Sequence, residues 1–186
     1  MQTNAIFSKI GLFLLASAVL TGCPPKKKPI VPVEPPVAEA PVEEPGIDVG
    51  EEWVSAPNLP LIYFETNKSD LTADARAVLK KNAPVLKAIL AEASGVQVRV
   101  EGHCDERNTL EYNLALGERR AAAVKDYYVS LGVAKTALST VSFGEERPVC
   151  SLSEEGCWSK NRRAATVLKS SSGPIRIPFS KLPAAE

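Results

Sequence analysis

The chain has few of the residues that build catalytic and metal centres. Its 186 residues include one histidine and four cysteines, and 22 basic residues balance 22 acidic ones. Without a basic excess, a nucleic-acid partner is not expected, because proteins that bind nucleic acid usually carry a positive face. His103 next to Cys104, with six residues between Cys150 and Cys157, does not match the usual zinc spacings. We therefore expect no metal and no cofactor.

The chain also lacks an apolar run long enough for a membrane span, which needs roughly 20 residues. The run at residues 10–20 is shorter, follows Lys9 and leads into the sequence LTGC, which ends at Cys23. This pattern is typical of a secretory signal peptide, here residues 1–22. The LTGC sequence resembles the lipobox of bacterial lipoproteins, which implies that Cys23 is lipidated and becomes the mature N-terminus. An ordinary signal peptide with an incidental Cys23 is the alternative.

Proline is concentrated near the front of the chain, where residues 24–60 hold ten of the fifteen prolines. Proline lacks an amide donor and fixes φ, so this stretch cannot form a regular helix or a central strand. We expect residues 23–60 to be the lipidated cysteine and an extended, semi-rigid spacer. Pro24, rather than aspartate, follows Cys23, and the lipoprotein resemblance then favours the outer membrane, with the chain facing the periplasm.

From residue 61 onward, short strands alternate with helices. LIYFET, VQVRVEG, LSTVSF and AATVLK indicate strands, and two longer stretches have helical spacing. Pro84 is expected to kink or split the first helix. Gly117 and Ala121 are small, so the second helix can approach a sheet closely. The order β-α-β-α-β-β predicts one α+β domain at residues 61–169, with a mixed sheet and both helices on one face. The tail, residues 170–186, is expected to be poorly ordered.

Charged and amide side chains collect where the second strand leads into the second helix, in GHCDERNTLEYNLALGERRAAAV. On this helix Asn113, Leu116 and Arg120 step by three and four and form a stripe beside the buried one. Arg120 leans toward the helix N-terminus and can face Asp105, with the Asn113 amide between them. Such a pair suits a zwitterion, since arginine binds a carboxylate and aspartate accepts from an ammonium. A plain Asp105–Arg120 salt bridge, or an Asp105 that braces its own loop, is the alternative.

The cysteines allow one disulfide in an oxidising compartment. Cys150 and Cys157 bracket a short loop and are the pair that closes at the lowest entropic cost. We expect this disulfide, which leaves Cys104 unpaired.

Three motifs in order, IYFETNKSDLT, the GHCDERNTLEYNLALGERRAAAV stretch and SFGEERPV with WSKNRRA, resemble the OmpA-like peptidoglycan-binding domain over about residues 61–168. The likeness is strongest to the lipoproteins of that family that work in Tol-Pal-type systems. It implies a β-α-β-α-β sandwich. It also implies a ligand, the peptide stem of peptidoglycan, whose diaminopimelate side chain ends in an ammonium and a carboxylate.

The resemblance also assigns residues to the site. Asp105 and Arg120 are the implied binding pair, and Asn113 is the implied helix amide. The first motif lines the pocket with Phe64, Glu65, Thr66 and Asn67, and Arg162 or Arg163 lies near its rim. This chain departs from many members at three positions, which are Glu65, Cys104 and Asn108.

The function implied is that of an outer-membrane lipoprotein that holds the cell wall non-covalently and is not an enzyme. The resemblance further implies a partner, the periplasmic propeller protein of the Tol system, and a role in envelope integrity and division. Two alternatives remain open. One is a wall hydrolase that uses His103 and Cys104, and the other is a purely structural lipoprotein whose spacer or tail binds another protein.

Overall fold

The structure, a computed structural model, describes residues 45–56 and 58–183. The predicted signal peptide, Cys23 and the spacer up to residue 44 lie outside the described residues. Among the helices of the described ranges, none has both the length and the apolar composition needed to cross a bilayer.

The main sheet is built around its longest strands. Strand β4 (Val96–His103) pairs in parallel with β5 (Leu138–Gly144) and antiparallel with β6 (Arg163–Ser170). The short strands β2 (Val54–Ser55) and β3 (Ile62–Tyr63) both pair antiparallel with β6. The sheet is therefore mixed, as the sequence predicts.

Two long helices pack on one face of this sheet. Helix α1 (Ala73–Glu92) begins after Thr72, whose Oγ1 accepts a hydrogen bond from a backbone N–H of the first turn, and helix α2 (Leu110–Ser130) begins in the same way after Thr109. Helix α1 is continuous through Pro84, so the proline does not split it, which was one of the two expected effects. Apolar side chains on both sides of the proline are fully buried: Leu79, Leu86 and Ile89. Their burial offsets the cost of about 3 kcal/mol that an internal proline imposes.

A buried hydroxyl links both helices to the sheet. The Tyr128 hydroxyl of α2 accepts a hydrogen bond from Asn82 Nδ2 of α1 at 3.1 Å and bonds Thr166 Oγ1 of β6 at 3.1 Å. Burial raises the pKa of Tyr128. Because one hydroxyl reaches α1 and β6 together, both helices lie on the same side of the sheet.

Two glycines allow α2 to lie almost against β4. A Cβ added to Gly102 would meet the carbonyl oxygen of Gly117 at 1.9 Å. A Cβ on Gly117 would meet Ser142 Oγ at 2.3 Å. The first obstacle is backbone and cannot rotate away, so the helix–sheet distance depends on Gly102 having no side chain.

The folded region extends beyond the predicted domain boundaries at both ends. Strand β1 (Gly46–Val49), which falls in the predicted spacer, pairs antiparallel with β7 (Ile175–Pro178), which falls in the predicted tail. The expected division at residues 61 and 169 is therefore wrong at these ends. Pro45 precedes β1, Pro174 precedes β7, and Pro178 is the last residue of β7, so no proline interrupts either strand. Ile47 and Ile177 belong to the buried core.

A third helix, α3 (Glu155–Asn161), was not predicted from the sequence. It lies between β5 and β6. The disulfide between Cys150 and Cys157 joins its middle to the segment before it, with Cα atoms 5.1 Å apart.

We predict that Gly102→Ala destabilises the domain by about 1–3 kcal/mol or more, because the new methyl group forces α2 away from β4. Gly156→Ala is the matched control, since its Cβ would meet nothing closer than Glu154 Oε1 at 3.5 Å. That variant lies within α3 and should be neutral or slightly stabilising. Urea unfolding of both variants checks this, and equal midpoints would show that the close approach is not a constraint.

Candidate functional site

The carboxylate of Asp105 is held between two arginines just after β4 ends. Arg107 donates from its backbone N and from Nε to Asp105 Oδ1, both at 3.2 Å, and from Nη2 to Oδ2 at 2.8 Å. Arg162 Nη1 lies 3.4 Å from the same Oδ2. Asp105 is 5% exposed, whereas the Arg107 side chain is 31% exposed. The loop therefore contains a buried carboxylate, Asp105, beneath a partly exposed guanidinium, Arg107.

These contacts keep Asp105 charged. Burial raises the pKa of the carboxyl, but the hydrogen bonds from Arg107, its charge and the hydrogen bond from Arg162 together outweigh burial and hold the pKa below its ordinary value of 3.8. The same hydrogen bonds raise the pKa of Arg107. The site thus contains an ionised aspartate at neutral pH.

Arg120 is fully buried beside this loop. Its Nε donates to the Lys68 carbonyl at 2.8 Å, its Nη1 to the His103 carbonyl at 2.8 Å, and its Nη2 to the Glu65 carbonyl at 3.0 Å. Nη1 also contacts Cys104 Sγ at 3.4 Å. A guanidinium has five N–H donors, so one N–H of Nη2 is left without a partner among the described residues.

The predicted open gap between Asp105 and Arg120 is therefore absent from the structure. Arg120 is 0% exposed, and within the described ranges neither a hydrogen bond nor an ion pair joins it to Asp105. Burial lowers the pKa of Arg120. The guanidinium instead fixes the backbone of the first-motif loop (residues 64–68) to the end of β4.

Asn113 and Leu116 do not lie between the charges either. Asn113 Nδ2 donates to the Asp105 backbone oxygen at 3.0 Å and also contacts Glu145 Oε2. Its Oδ1 is buried and has no hydrogen-bond partner in the described part of the chain. Leu116 is buried. Asn113 thus helps to position the Asp105 backbone.

The first-motif loop reaches the Asp105 loop through side chains. Thr66 Oγ1 accepts a hydrogen bond from Arg107 Nη2 at 3.2 Å, and Asn67 Oδ1 accepts one from Asn108 Nδ2 at 3.0 Å. Asn67 has φ +56°, a left-handed conformation that asparagine tolerates better than most residues. Asn108, one of the departures from the family pattern, thus supplies an amide that bridges the two loops.

Phe64 and Glu65 complete the first-motif set. The Phe64 ring is buried, with its centre 5.1 Å from the guanidinium carbon of Arg120. Glu65 is exposed and pairs with Lys68. A groove of about 570 Å³ begins here and is lined by both residues, by Arg162 and by the start of α1. The concave surface therefore lies beside the Asp105 loop rather than between Asp105 and Arg120.

The two candidate rim arginines have different surroundings. Arg162 contacts Asp105 and also donates to Glu155 Oε1 at 2.7 Å. Arg163 is buried and donates from Nη2 to the Arg147 carbonyl at 3.2 Å. Arg162 therefore belongs to the site and Arg163 does not contact it.

His103 and Cys104 lie on opposite sides of the chain. The imidazole stacks on Phe143 with ring centres 5.6 Å apart, and its Nε2 lies 3.8 Å from Glu101 Oε2. The Cys104 thiol points the other way and donates to the Asn113 carbonyl at 3.3 Å. Burial raises the pKa of Cys104 and lowers the pKa of His103. A protonated thiol and a buried imidazole on different faces do not form a nucleophile–base pair.

Arg107, Glu155 and Trp158 were not identified from the sequence. Glu155 Oε2 lies 3.5 Å from Arg107 Nη1, and the Trp158 ring centre lies 4.3 Å from the Arg107 guanidinium carbon. The position of Arg107 two residues after Asp105 in a turn was a usable signal. The two α3 residues are far away in sequence and gave none. Across the described ranges, no group of three His, Cys, Asp or Glu side chains could hold a metal ion.

Fold and site together define a small α+β domain with a charged recognition site where β4 leads into α2. The OmpA family pattern matches residues 63–163, which is more than half of the chain. The chain belongs to the OmpA family. The family and the fold class predicted from the motifs are thereby confirmed.

Curated relatives are similar over the same region. The peptidoglycan-associated lipoprotein of Mesorhizobium japonicum is 40% identical over 161 residues, which cover 83% of this chain and 88% of the relative. The protein of the same name from Rhizobium meliloti is 49% identical over 107 residues, 58% of each chain. That of Pseudomonas aeruginosa is 50% identical over 101 residues, which cover 54% of this chain and 57% of the relative.

Solved structures agree on the fold. The crystal structure of the peptidoglycan-associated lipoprotein from Burkholderia pseudomallei is 36% identical, with a TM-score of 0.54, and the match covers 59% of this chain and 89% of that one. The C-terminal domain of Helicobacter pylori MotB has a TM-score of 0.54 at 21% identity, over 61% of this chain and 86% of that one. At that identity the second match supports the fold alone.

We predict that His103 titrates with a pKa below 6.5, because burial disfavours the imidazolium more than Glu101 stabilises it. The unfolded chain then takes up this proton first, so stability is complete above about pH 6.5 and falls as the pH decreases toward the folded pKa. His103 is the one histidine of the chain, so its imidazole resonance can be followed directly by NMR. A pKa above 6.5 would show that the contact with Glu101 dominates.

Proposed function

We propose that this chain is a peptidoglycan-binding lipoprotein of the outer membrane and that the Asp105 loop binds the peptide stem. The observation that carries the proposal is the ionised Asp105 in contact with two guanidinium groups, those of Arg107 and Arg162. Membership of the OmpA family and the names of the relatives support the same ligand class.

The site has a group for each end of a zwitterion. Asp105 can accept hydrogen bonds from an ammonium, and the partly exposed Arg107 can turn its N–H donors to a carboxylate. Diaminopimelate in the stem peptide carries both charges at the end of its side chain, so it satisfies both poles.

Modest affinity is sufficient for this function. Each charge-assisted hydrogen bond contributes about 1.5–3 kcal/mol, part of which is lost to desolvation and ordering. A wall is a polymer that offers many copies of the ligand to many anchored domains. Weak single contacts therefore add to firm attachment.

The remaining parts of the proposal rest on the sequence. Lipidation of Cys23 would anchor the chain, and the proline-rich spacer would carry the domain toward the wall. The Tol system's propeller protein is the proposed protein partner. We propose a binding role without catalysis, because the His103/Cys104 alternative lacks an assembled catalytic pair.

A pull-down on purified peptidoglycan tests the site. Asp105→Ala and Arg107→Ala should each weaken sedimentation of the full chain by about ten- to a hundredfold in affinity, because each variant removes charge-assisted hydrogen bonds to the ligand. Arg120→Ala should lose binding and also melt at a lower temperature, because it releases three backbone carbonyls. Free diaminopimelate should compete with the wall.

Asp48→Ala is the matched control, because Asp48 also pairs with an arginine, Arg176, at 3.0 Å, but in the β1–β7 ribbon. It should sediment like the parent. If Asp105→Ala and Arg107→Ala remain folded and sediment as well as the parent, the assignment of the site is wrong.

A further inference from the structure

Residues 150–161, which we call the rim segment, pack against the loop that carries Asp105. Ser153 Oγ donates to Glu106 Oε1 at 2.5 Å, and Trp158 Nε1 donates to the same oxygen at 3.3 Å. These hydrogen bonds lower the pKa of Glu106, which stays ionised as their acceptor. The rim segment therefore holds Glu106, which lies between Asp105 and Arg107 in the loop.

The rim segment also holds Arg107 itself. The ring of Trp158 covers one face of the guanidinium at 4.3 Å, while Asp105 and Thr66 accept from its edge. Glu155 lies 3.5 Å from the remaining nitrogen, Nη1, and binds Arg162 on its other oxygen. The guanidinium is thus held by polar contacts at its edge and by the Trp158 ring against its face.

Trp158 contributes little to the core of the domain. It is partly exposed and is not a member of the cluster of apolar side chains that fills the space between helices and sheet. The contacts that define its position are those to Arg107 and Glu106. Trp158 therefore contributes mainly to the positions of Arg107 and Glu106 rather than to the packing of the core.

Two clamps hold the rim segment in shape. The disulfide ties Cys157 of α3 to Cys150. Beside it, Asn161 Oδ1 accepts hydrogen bonds from the backbone N–H groups of Val149 and Cys150, and Asn161 Nδ2 donates to the Cys150 carbonyl at 2.7 Å. A seven-residue helix is too short to be stable alone, so α3 depends on such clamps.

We propose that the rim segment is a positioning element for Arg107. The disulfide holds α3, and Trp158 with Glu155 holds the guanidinium in the orientation in which it meets the ligand's carboxylate. Trp158 acts through Arg107 and need not touch the ligand. This inference rests on the proposed function, since it concerns the same site.

The test measures binding of a soluble muropeptide with a tripeptide stem ending in diaminopimelate, by calorimetry on the full chain. Trp158→Ala and the double variant Cys150→Ser/Cys157→Ser should bind about three- to tenfold more weakly, the range expected for loss of a cation–π contact. Trp158→Phe keeps an aromatic face and should retain most of the affinity. Thermal unfolding of every variant reports on folding separately.

Trp53→Ala is the matched control. The Trp53 ring lies 4.1 Å from the guanidinium carbon of Arg99, so the variant breaks the same kind of contact on β4, outside the Asp105 loop. Its affinity for the muropeptide should equal that of the parent. A loss equal to that of Trp158→Ala would overturn the inference, because the effect would then be general.

A double-mutant cycle separates positioning from general support. In an Arg107→Ala background, Trp158→Ala should have no further effect on affinity. A further three- to tenfold loss in that background would show that Trp158 acts independently of Arg107. Parental affinity in both Trp158→Ala and Cys150→Ser/Cys157→Ser would equally overturn the inference. If the parent does not bind the muropeptide, the proposed function fails and the inference fails with it. If the parent binds and Trp158→Ala binds with the same affinity, the inference alone is overturned.

Discussion

The buried guanidinium of Arg120 is the interaction on which the site depends. A charge removed from water is costly unless its donors find partners, and here carbonyls from three positions along the chain accept from three of the five N–H groups: Glu65, Lys68 and His103. Lysine could not replace it, because an ammonium cannot send planar donors in three fixed directions. One side chain of α2 thus sets the distance between the first-motif loop and the end of β4.

The positions of the other groups follow from that distance. Thr66 lies between the two carbonyls of the first motif that Arg120 holds, and it accepts from Arg107. Asp105 comes two residues after the held carbonyl of His103, and Asn113 holds the Asp105 backbone from the helix. The charged side chains of the site are therefore arranged by main-chain contacts beneath them.

The sequence predicts the framework of this arrangement well. Alternation along β4 and the helical spacing of α2 place Asp105 and Arg120 at the same junction, and strand alternation separates His103 from Cys104. The sequence does not predict that Arg120 is fully buried. Counting positions around a helix puts this residue in a stripe beside the buried one. The contact between Gly102 and Gly117 brings the helix so close to β4 that this stripe is covered as well.

The short elements could not be predicted from the sequence, for a different reason. Helix α3 and strands β1 and β7 have seven, four and four residues, too few for a period to show. Each is stabilised by partners distant along the chain, or by a crosslink, rather than by its own propensity. The proline count suggested an extended leader up to residue 60, although β1 follows directly after Pro45 and contains no proline.

The ribbon of β1 and β7 has a mechanical consequence for an anchored chain. Both strands join the rest of the domain at the same end, where Val49 pairs with Ile175, and tension arriving from the N-terminal side enters at the other end, at Gly46. Under the proposed anchoring, a load directed across the ribbon would break the Gly46–Pro178 pair first and the Val49–Ile175 pair last. The ribbon would open without breaking a pair of the five-stranded sheet, because within the described residues β1 and β7 form a sheet of their own. This opening would free the four residues of β1, which span roughly 13 Å at about 3.3 Å per residue. If the chain is anchored and binds the wall as proposed, the ribbon would take up a load before the load reached the main sheet and the Asp105 loop.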